Sequence, residues 1–567
     1  MRLPSALRPG LIDSLHGYDR RTALDDLAAG TITAILLVPQ AMAYALLAGL
    51  PAQYGLYAAI VPPAVYALFG TSRTLAVGPV AVAALMVAEA LSGYGAGSGA
   101  WIEGAVVLAA EVGLMLLVGG LLGLGRLVTF VSHPVLSGFT SAAALLIIVS
   151  QAGPLLGIEL PRGAAPAMVE ALLARAGRAE AATLVTSGLA LVALLLARGP
   201  LRRALQHLGM PPGRAALVTR TAPLLVVVAA ATAVAAAPGT PVAVVGGIPG
   251  GLPALDLSFV GSGAWLELLP SAALIALIGY VESITVGKVL AARRRERIDP
   301  TRELVALGLA NAGAALAGTM PAAGGFSRSV VNFDAGARTQ VASLVTAALV
   351  AVVAAWFTAW FATLPRAVLA AIIVVAVVQL VHLREALSIL RFDRADGATL
   401  GITFAGVLLL GIEPGLVAGI AASLLLYVWR TSRPHMAIVG RVPGTEHFRN
   451  VRRHHVERHP GTVIVRIDEN LYFANVDAIH RFVLDALDDR PDARALVLAM
   501  SSVSYVDSSG ADLLQRLETD LAERGITLHL AEVKGPVTDR LGRLAAMAPL
   551  LRERTHLSLE LAVERLA

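Results

Sequence analysis

Apolar residues fill the first three quarters of the chain in long runs, and polar residues return only in short clusters between them. The windows 102–122, 133–153, 181–197, 221–237, 266–287 and 339–361 each reach the ~18 apolar residues needed to cross a bilayer as a helix. With the shorter apolar segments included, fourteen crossings fit between residues 24 and about 430. Near residue 434 the pattern changes. Residues 441–460 are polar and basic and read as a linker. Beyond it, short strands and amphipathic helices alternate. Residues 462–473 read as two short strands, 475–489 as a helix and Ala495–Ala499 as a strand. Residues 508–523 read as a helix, 526–532 as a strand, and 536–547 and 556–566 as helices. That alternation over ~100 residues predicts a small soluble α/β domain.

Two apolar segments are broken. In 71–90, Gly78-Pro79 interrupts the run. In 318–336, Pro321 and Gly324-Gly325 do the same. Both are third in their half of seven spans. Interrupted segments at matching positions of two halves point to inverted repeats with a site where the breaks meet.

Composition supports a polytopic helical membrane protein: 56% of the 567 residues are hydrophobic and only 15% are charged. No cysteine is present, which excludes disulfides, thiolate metal sites and cysteine nucleophiles. The net charge of +5 rests on arginine, since Lys288 and Lys534 are the only lysines. Arginines cluster at 20–21, 198–220 (Arg198, Arg202, Arg203, Arg214, Arg220), 293–297, 384–394 and 430–433. With the N-terminus inside, each cluster falls on the cytoplasmic side, so the basic balance reflects topology and not nucleic-acid binding. Arg162, Arg175 and Arg178 break this rule, in an outside loop that reads as a surface helix. The first 26 residues mix Arg2, Arg8, Arg20 and Arg21 with Asp13, Asp19, Asp25 and Asp26 and carry no cleavable signal pattern.

The strongest chemical signal lies at the second break. Arg328 follows Gly324-Gly325 between two apolar stretches, and a guanidinium at membrane depth is expensive unless it faces a bundle interior or a watery cavity. A helix beginning near Ser327 would add its N-terminal dipole and complete an anion site. Glu282 is the second charge at membrane depth. It could carry a proton, neutralise Arg328, or bind sodium with Ser283 and Thr285. Gln40 and Tyr44 stand four apart on one face of the first span and suit either a polar pocket or interhelical hydrogen bonds. In the soluble region, Asp507-Ser508-Ser509 opens a helix, which suits an N-cap as well as a regulatory serine. His447, His454, His455 and His459 match no metal spacing. The glycines at 120–125 mimic a nucleotide loop but sit at a membrane-helix end. No nucleophile–base pair or cofactor motif stands out, so neither an enzyme nor a cofactor is expected.

The chain resembles the SulP family of sulfate permeases and anion transporters. The resemblance rests on Asp26-Leu27-Ala28-Ala29-Gly30, Val38-Pro39-Gln40-Ala41-Met42-Ala43-Tyr44 and Val77-Gly78-Pro79, then Gly279-Tyr280-Val281-Glu282-Ser283, Gly325-Phe326-Ser327-Arg328-Ser329 and Ala335-Gly336-Ala337-Arg338-Thr339. These motifs span residues 20–430, and the tail resembles the family's STAS domain. The resemblance implies 14 spans as 7+7 inverted repeats. Spans 1–4 and 8–11 would form a core and spans 5–7 and 12–14 a gate, within residues 24–432. A cytoplasmic segment 1–23 would precede them; a linker 433–460 and a cytoplasmic STAS domain 461–567 would follow.

By motif, the resemblance makes Gln40, Tyr44, Ala81, Phe326, Ser327 and Arg328 substrate-binding, Glu282 ion-coupling and Ser509 regulatory. It implies sulfate as the default substrate and a homodimer; the buried acid Glu282 and base Arg328 on neighbouring core segments add the expectation of sulfate–proton symport by elevator-type alternating access, and the arginine bias that of a bacterial inner membrane. Bicarbonate or C4-dicarboxylate symport, sodium coupling, and an exchanger or channel mode remain alternatives. So does a nucleobase–proton symporter, which Arg328 disfavours. A membrane-anchored STAS signalling protein is the non-transport reading.

Overall fold

The computed structural model describes residues 10–15, 17–95, 97–125, 131–237 and 239–567. Arg2 and Arg8 lie outside the described residues, as do the side chains of Asp13, Arg214 and Arg220. The chain divides into two compact units, one ending at Ala421 and one running from Ala422 to Ala567.

The helical segments fall into the expected order, all but the end of the last within the first unit. Span 1 is Arg20–Leu47, span 2 the pair Ala52–Ala58 and Val61–Phe69, and span 3 the strand β1 (Val77–Gly78) with the helix Ala81–Ala90. Span 4 is Gly99–Leu121, span 5 His133–Leu156, span 6 Ala181–Arg198 and span 7 Pro212–Ala236. The second half repeats this series. Span 8 is Trp265–Arg293, span 9 Pro300–Leu316, and span 10 the strand β2 (Ala323–Gly324) with the helix Phe326–Asp334. Span 11 runs from Val341 through a π-turn to Phe361, span 12 is Arg366–Val377, span 13 Arg394–Leu410 and span 14 Ile412–Thr431. Among the described residues, 8 helices are long and apolar enough to cross a bilayer by length and composition.

Packing follows the inverted repeat. Span 1 lies on span 11 as span 8 lies on span 4. Span 1 meets span 10 as span 8 meets span 3, and spans 5 and 13 pack as spans 12 and 6 do. The crossing of spans 4 and 9 is close enough to need glycine. A Cβ on Gly113 would lie 2.7 Å from the Ala312 nitrogen, and one on Gly308 would lie 2.7 Å from the Leu117 nitrogen. Without a hydrophobic drive between helices in lipid, such close approach supplies the packing energy. The surface helix expected between spans 5 and 6 is Ala165–Arg175, and Leu383–Phe392 stands in the equivalent place between spans 12 and 13.

Two buried carboxylates tie the loops of this unit. Glu303 accepts from the Tyr66 hydroxyl at 2.8 Å, from the Thr71 nitrogen and hydroxyl at 2.6 Å each, and from the Ser72 nitrogen at 3.1 Å. Asp26 accepts from the Arg338 and Thr339 nitrogens at 2.6 and 3.0 Å and from the Thr339 hydroxyl at 2.5 Å. The Asp26 and Arg338-Thr339 motifs, 312 positions apart, are thus one structural lock. A buried charge is tolerable only with such a full set of donors.

The second unit holds a six-stranded sheet in the order β4-β3-β5-β6-β7-β8. Its strands are β3 (Met436–Arg441), β4 (Phe448–Asn450), β5 (Thr462–Ile467), β6 (Ala495–Ala499), β7 (Thr527–Ala531) and β8 (Thr555–His556). β5 to β8 run parallel, and β3 is antiparallel to both neighbours. Alternate residues serve opposite faces. Val463, Val465 and Ile467 pack with helices Val476–Asp488 and Ser508–Glu523, whereas Ile464 and Val497 pack with helix Leu559–Leu566.

Two expectations for this region need correction. The supposed linker 433–460 supplies β3 and β4, because Ala437, Val439 and Phe448 are buried against the sheet. The second strand expected in 462–473 shrinks to a single bridge, Leu471 to Val506.

Candidate functional site

Both broken segments fold into the same shape. β1 and β2 pair antiparallel, Val77 with Gly324 and Gly78 with Ala323, and a short helix leaves each strand. These helices have 10 and 9 residues, so at ~1.5 Å per residue each covers about half of the ~30 Å apolar thickness of a bilayer. Their N-termini begin immediately after the paired strands, at Ala81 and Phe326.

Irregular backbone at such depth needs internal partners, and polar side chains provide them. The Ser329 hydroxyl accepts from the Ala76 nitrogen at 2.9 Å, and Asn332 donates to the Thr74 carbonyl at 3.1 Å. Asn311 bonds both backbone groups of Ala322, at 2.8 and 2.9 Å. The Ser283 hydroxyl donates to Gly279 and accepts from the Gly324 nitrogen at 2.7 Å.

Arg328 sits in the first turn of the second half-helix and is 3% exposed. Its Nη1 donates to the Pro79 carbonyl of the opposite break at 2.7 Å. Its Nε and Nη2 find no partner among the described residues. Those two atoms share the edge of the guanidinium that grips an oxyanion with two parallel bonds. The group lies flat against glycines. A Cβ on Gly325 would come within 2.9 Å of Nη2, and one on Gly78, whose φ is +154°, within 3.5 Å. Gln40 adds a third unpartnered atom, its Oε1, and an amide can present either its oxygen or its nitrogen after a half-turn.

A cavity of about 330 Å³ reaches Gln40 and Ser327 beside this place, with Leu36, Arg198, Arg202 and Gln379 also in its lining. A second cavity, of about 520 Å³, touches Ala43 and Leu47 of span 1 and Arg366, Leu369, Ala370 and Ile373 of span 12. Both cavities lie along the seam of spans 1 and 12. Gln40 lines one and Ala43 the other, three residues apart, so the barrier on span 1 is about 4.5 Å of helix.

A family model for the sulfate permease family matches residues 24–405, and a STAS-domain model matches residues 454–560. The chain belongs to the sulfate permease family. It is 37% identical over 520 residues to sulfate transporter 4.1, chloroplastic, of Arabidopsis thaliana, covering 89% of this chain and 74% of that protein. It is 33% identical over 566 residues to probable sulfate transporter Rv1739c of Mycobacterium tuberculosis, covering 98% and 97%. In fold it is similar to SLC26A9, with a TM-score of 0.90 at 22% identity over 99% of this chain and 92% of that one. It also resembles the transmembrane domain of the cyanobacterial bicarbonate transporter BicA, with a TM-score of 0.59 at 24% identity over 72% of this chain and 98% of that one.

As a permease of this family, the chain is a multi-pass membrane anion transporter with 14 spans in two inverted repeats and a STAS domain, and not an enzyme. Its motif residues have varied placements. Gln40 and Tyr44 are buried one turn apart on span 1, and Ala81 is the buried first residue of its half-helix. Ser327 lines the smaller cavity with Gln40, while the Phe326 ring is 40% exposed. The charge of Arg328 interacts with Tyr44 and Glu282.

Glu282 is half-buried and forms no ion pair with Arg328, so the expected neutralising partner is only a neighbour. The sodium set is not assembled: Ser283 is fully buried under Gly324, and Thr285 is exposed. Ser509 lies in the other unit, half-buried in the first turn of its helix. There Asp507 is the cap, accepting from Gly510 and Phe473 at 2.8 and 2.9 Å. Among the described residues no histidine, aspartate or glutamate group could hold a metal ion. The scaffold residues Ser329, Asn311 and Asn332 escaped sequence reasoning. Asn311 and Asn332 signal themselves only as small polar residues in apolar runs, and Ser329 only as the end of the Gly325–Ser329 motif.

Proposed function

We propose that this permease is a sulfate–proton symporter working by elevator-type alternating access. The observation that carries the reading is the buried guanidinium of Arg328, with its Nε–Nη2 edge free where two half-helix N-termini meet. Charge favours a divalent oxyanion. Each helix N-terminus contributes roughly +0.5 and Arg328 contributes +1, so the site holds about +2. An ionised Glu282 would subtract one charge. A proton delivered to Glu282 restores the balance, and this couples proton to sulfate. Relatives more than 30% identical carry the name sulfate transporter, which favours sulfate over other oxyanions.

Gln40, Tyr44, Ala81, Phe326 and Ser327 complete the pocket around Arg328. Spans 1–4 and 8–11 form the moving core and spans 5–7 and 12–14 the gate. The thin barrier between the two cavities on span 1 supports a small sliding movement of core against gate as the switch. The arginine clusters favour an inner-membrane protein with its N-terminus and STAS domain in the cytoplasm. A homodimer is part of the reading, checked by cross-linking in membranes.

Radiolabelled sulfate uptake into proteoliposomes with an imposed pH gradient tests the proposal. The native protein should concentrate sulfate when the outside is acidic. Glu282→Gln should lose gradient-driven accumulation by tenfold or more while keeping sulfate–sulfate exchange. Accumulation by Glu282→Gln at the native level rules the coupling role out. Sodium-driven accumulation without a pH gradient rules out proton coupling.

A further inference from the structure

The larger cavity has a lining unlike the smaller one. Its ionisable lining residues are Arg162 and Arg366, both cationic, and its neutral polar ones are Gln53 and Gln151. Among the described residues no carboxylate lines this cavity beside either arginine. The Arg162 guanidinium lies over the Trp101 ring, 5.0 Å from its centroid. Trp101 is itself fixed, 1% exposed, with its indole nitrogen donating to the Ala48 carbonyl at 3.0 Å. A Cβ on Gly49 would come within 2.9 Å of the Arg162 Nη1, so glycine leaves room for the guanidinium. Arg366 is anchored through its backbone nitrogen to the Ala243 carbonyl at 2.9 Å and through Nε to the Val244 carbonyl at 3.1 Å. That leaves both of its terminal nitrogens available.

Two cations positioned by a ring and by carbonyls, with no acid in the lining, face one cavity. The apolar part of the walls, with Leu50, Ile248, Leu369 and Ile373, focuses their field, and such a cleft raises the local concentration of a counter-ion. The place is also informative. Ala43 and Ala370 line this cavity, and three residues along span 1 from Ala43 stands Gln40, in the lining of the other cavity with Ser327. Arg162 belongs to the loop that breaks the arginine distribution of the rest of the chain, so membrane topology does not account for it.

We propose that Arg162 and Arg366 form a second, weaker oxyanion station in the mouth opposite the smaller cavity, where substrate is collected before the core moves. The proposal rests on the transport reading for its role in the cycle, but not for the binding itself. Arg162 and Arg366 act as point-charge collectors with solvent access, so the station is weak, salt-sensitive and tolerant of lysine.

Two measurements test it. Calorimetric titration of sodium sulfate into purified Arg328→Ala protein should find residual binding in the millimolar range. That binding should disappear when Arg162→Gln and Arg366→Gln are added, and survive Arg162→Lys with Arg366→Lys. If Arg328→Ala binds no more sulfate than the triple variant, the station does not exist, whatever the protein transports. In proteoliposomes of defined orientation, Arg162→Gln with Arg366→Gln should raise the sulfate KM about five- to tenfold from the side of this cavity only. Maximal rate should stay within twofold, and the dependence of KM on ionic strength should flatten. An unchanged KM on that side, or an equal rise on both sides, overturns the collecting role. Failure of native protein to carry sulfate would instead refute the sulfate reading, and the titration would still decide the station.

Discussion

The two half-helices of spans 3 and 10 have one backbone plan and two chemistries. Each follows a two-residue strand, each starts after an uncapped extended residue, and the strands pair across an approximate twofold axis. Yet one begins Ala81-Val82-Ala83 and the other Phe326-Ser327-Arg328. The repeat supplies the architecture twice, and the charge appears once. Arg328 serves both halves, because its Nη1 closes on Pro79 of the plain half while its Nε–Nη2 edge stays unpaired beside Ser327. A symmetric pair of arginines would crowd two buried cations into one site. One arginine between two dipoles gives about the charge that a single oxyanion needs.

That asymmetry can be broken in order of effect. Arg328→Ala removes the charged half altogether, and sulfate affinity measured by calorimetry should fall by about a hundredfold. Loss of a buried charge contact is worth ~2–5 kcal/mol and each ~1.4 kcal/mol is tenfold. Arg328→Lys, which keeps the charge without the planar fork, should recover only part of this. Ser329→Ala attacks the shared architecture. It leaves the buried Ala76 nitrogen unpaired, so the protein should lose ~1–3 kcal/mol, read as a lower thermal unfolding temperature. If stability holds and only affinity falls, Ser329 binds substrate and does not serve the backbone.

A pH scan needs a control in the STAS domain. His529 and His556 stack on adjacent strands with ring nitrogens 3.1 Å apart. Burial, and then the charge of His556, push the His529 pKa down to about 4. The unfolded chain, with a pKa near 6.5, therefore binds more protons below that pH. STAS stability should be full above pH 6.5 and decline as pH falls towards 4. His529→Gln should flatten the decline seen by thermal unfolding, and coupling to Glu282 is best measured above pH 6.5. The smallest change is Ala81→Ser, which adds one hydroxyl to the plain half-helix. Sulfate affinity should move by less than about threefold; a larger gain would mean that the two halves share the anion more equally than Arg328 suggests.

Much of the site was legible in order along the chain. The cost of a charge at membrane depth is local, so Arg328 and Glu282 announce themselves against their apolar neighbours. Glycine and proline mark the backbone breaks in the same way, and the spacing of both breaks carries the repeat. The roles of neutral residues were not legible. Ser283 beside Glu282 reads as an ion ligand, yet it holds Gly324. The histidine-rich stretch before residue 460 reads as a linker, yet two strands precede and enter it.

The amino-acid sequence alone thus determines the membrane class, the fourteen segments, the twin breaks and the family. Each follows from composition, periodicity or motif within a short stretch. Only the tertiary structure decides which edge of Arg328 stays free, that Glu282 stands near it without pairing, and that two cavities flank one thin barrier. The reason is distance along the chain. Pairings such as Val77 with Gly324 and Asp26 with Thr339 join residues hundreds of positions apart, and no local pattern records which partner a buried polar atom finds.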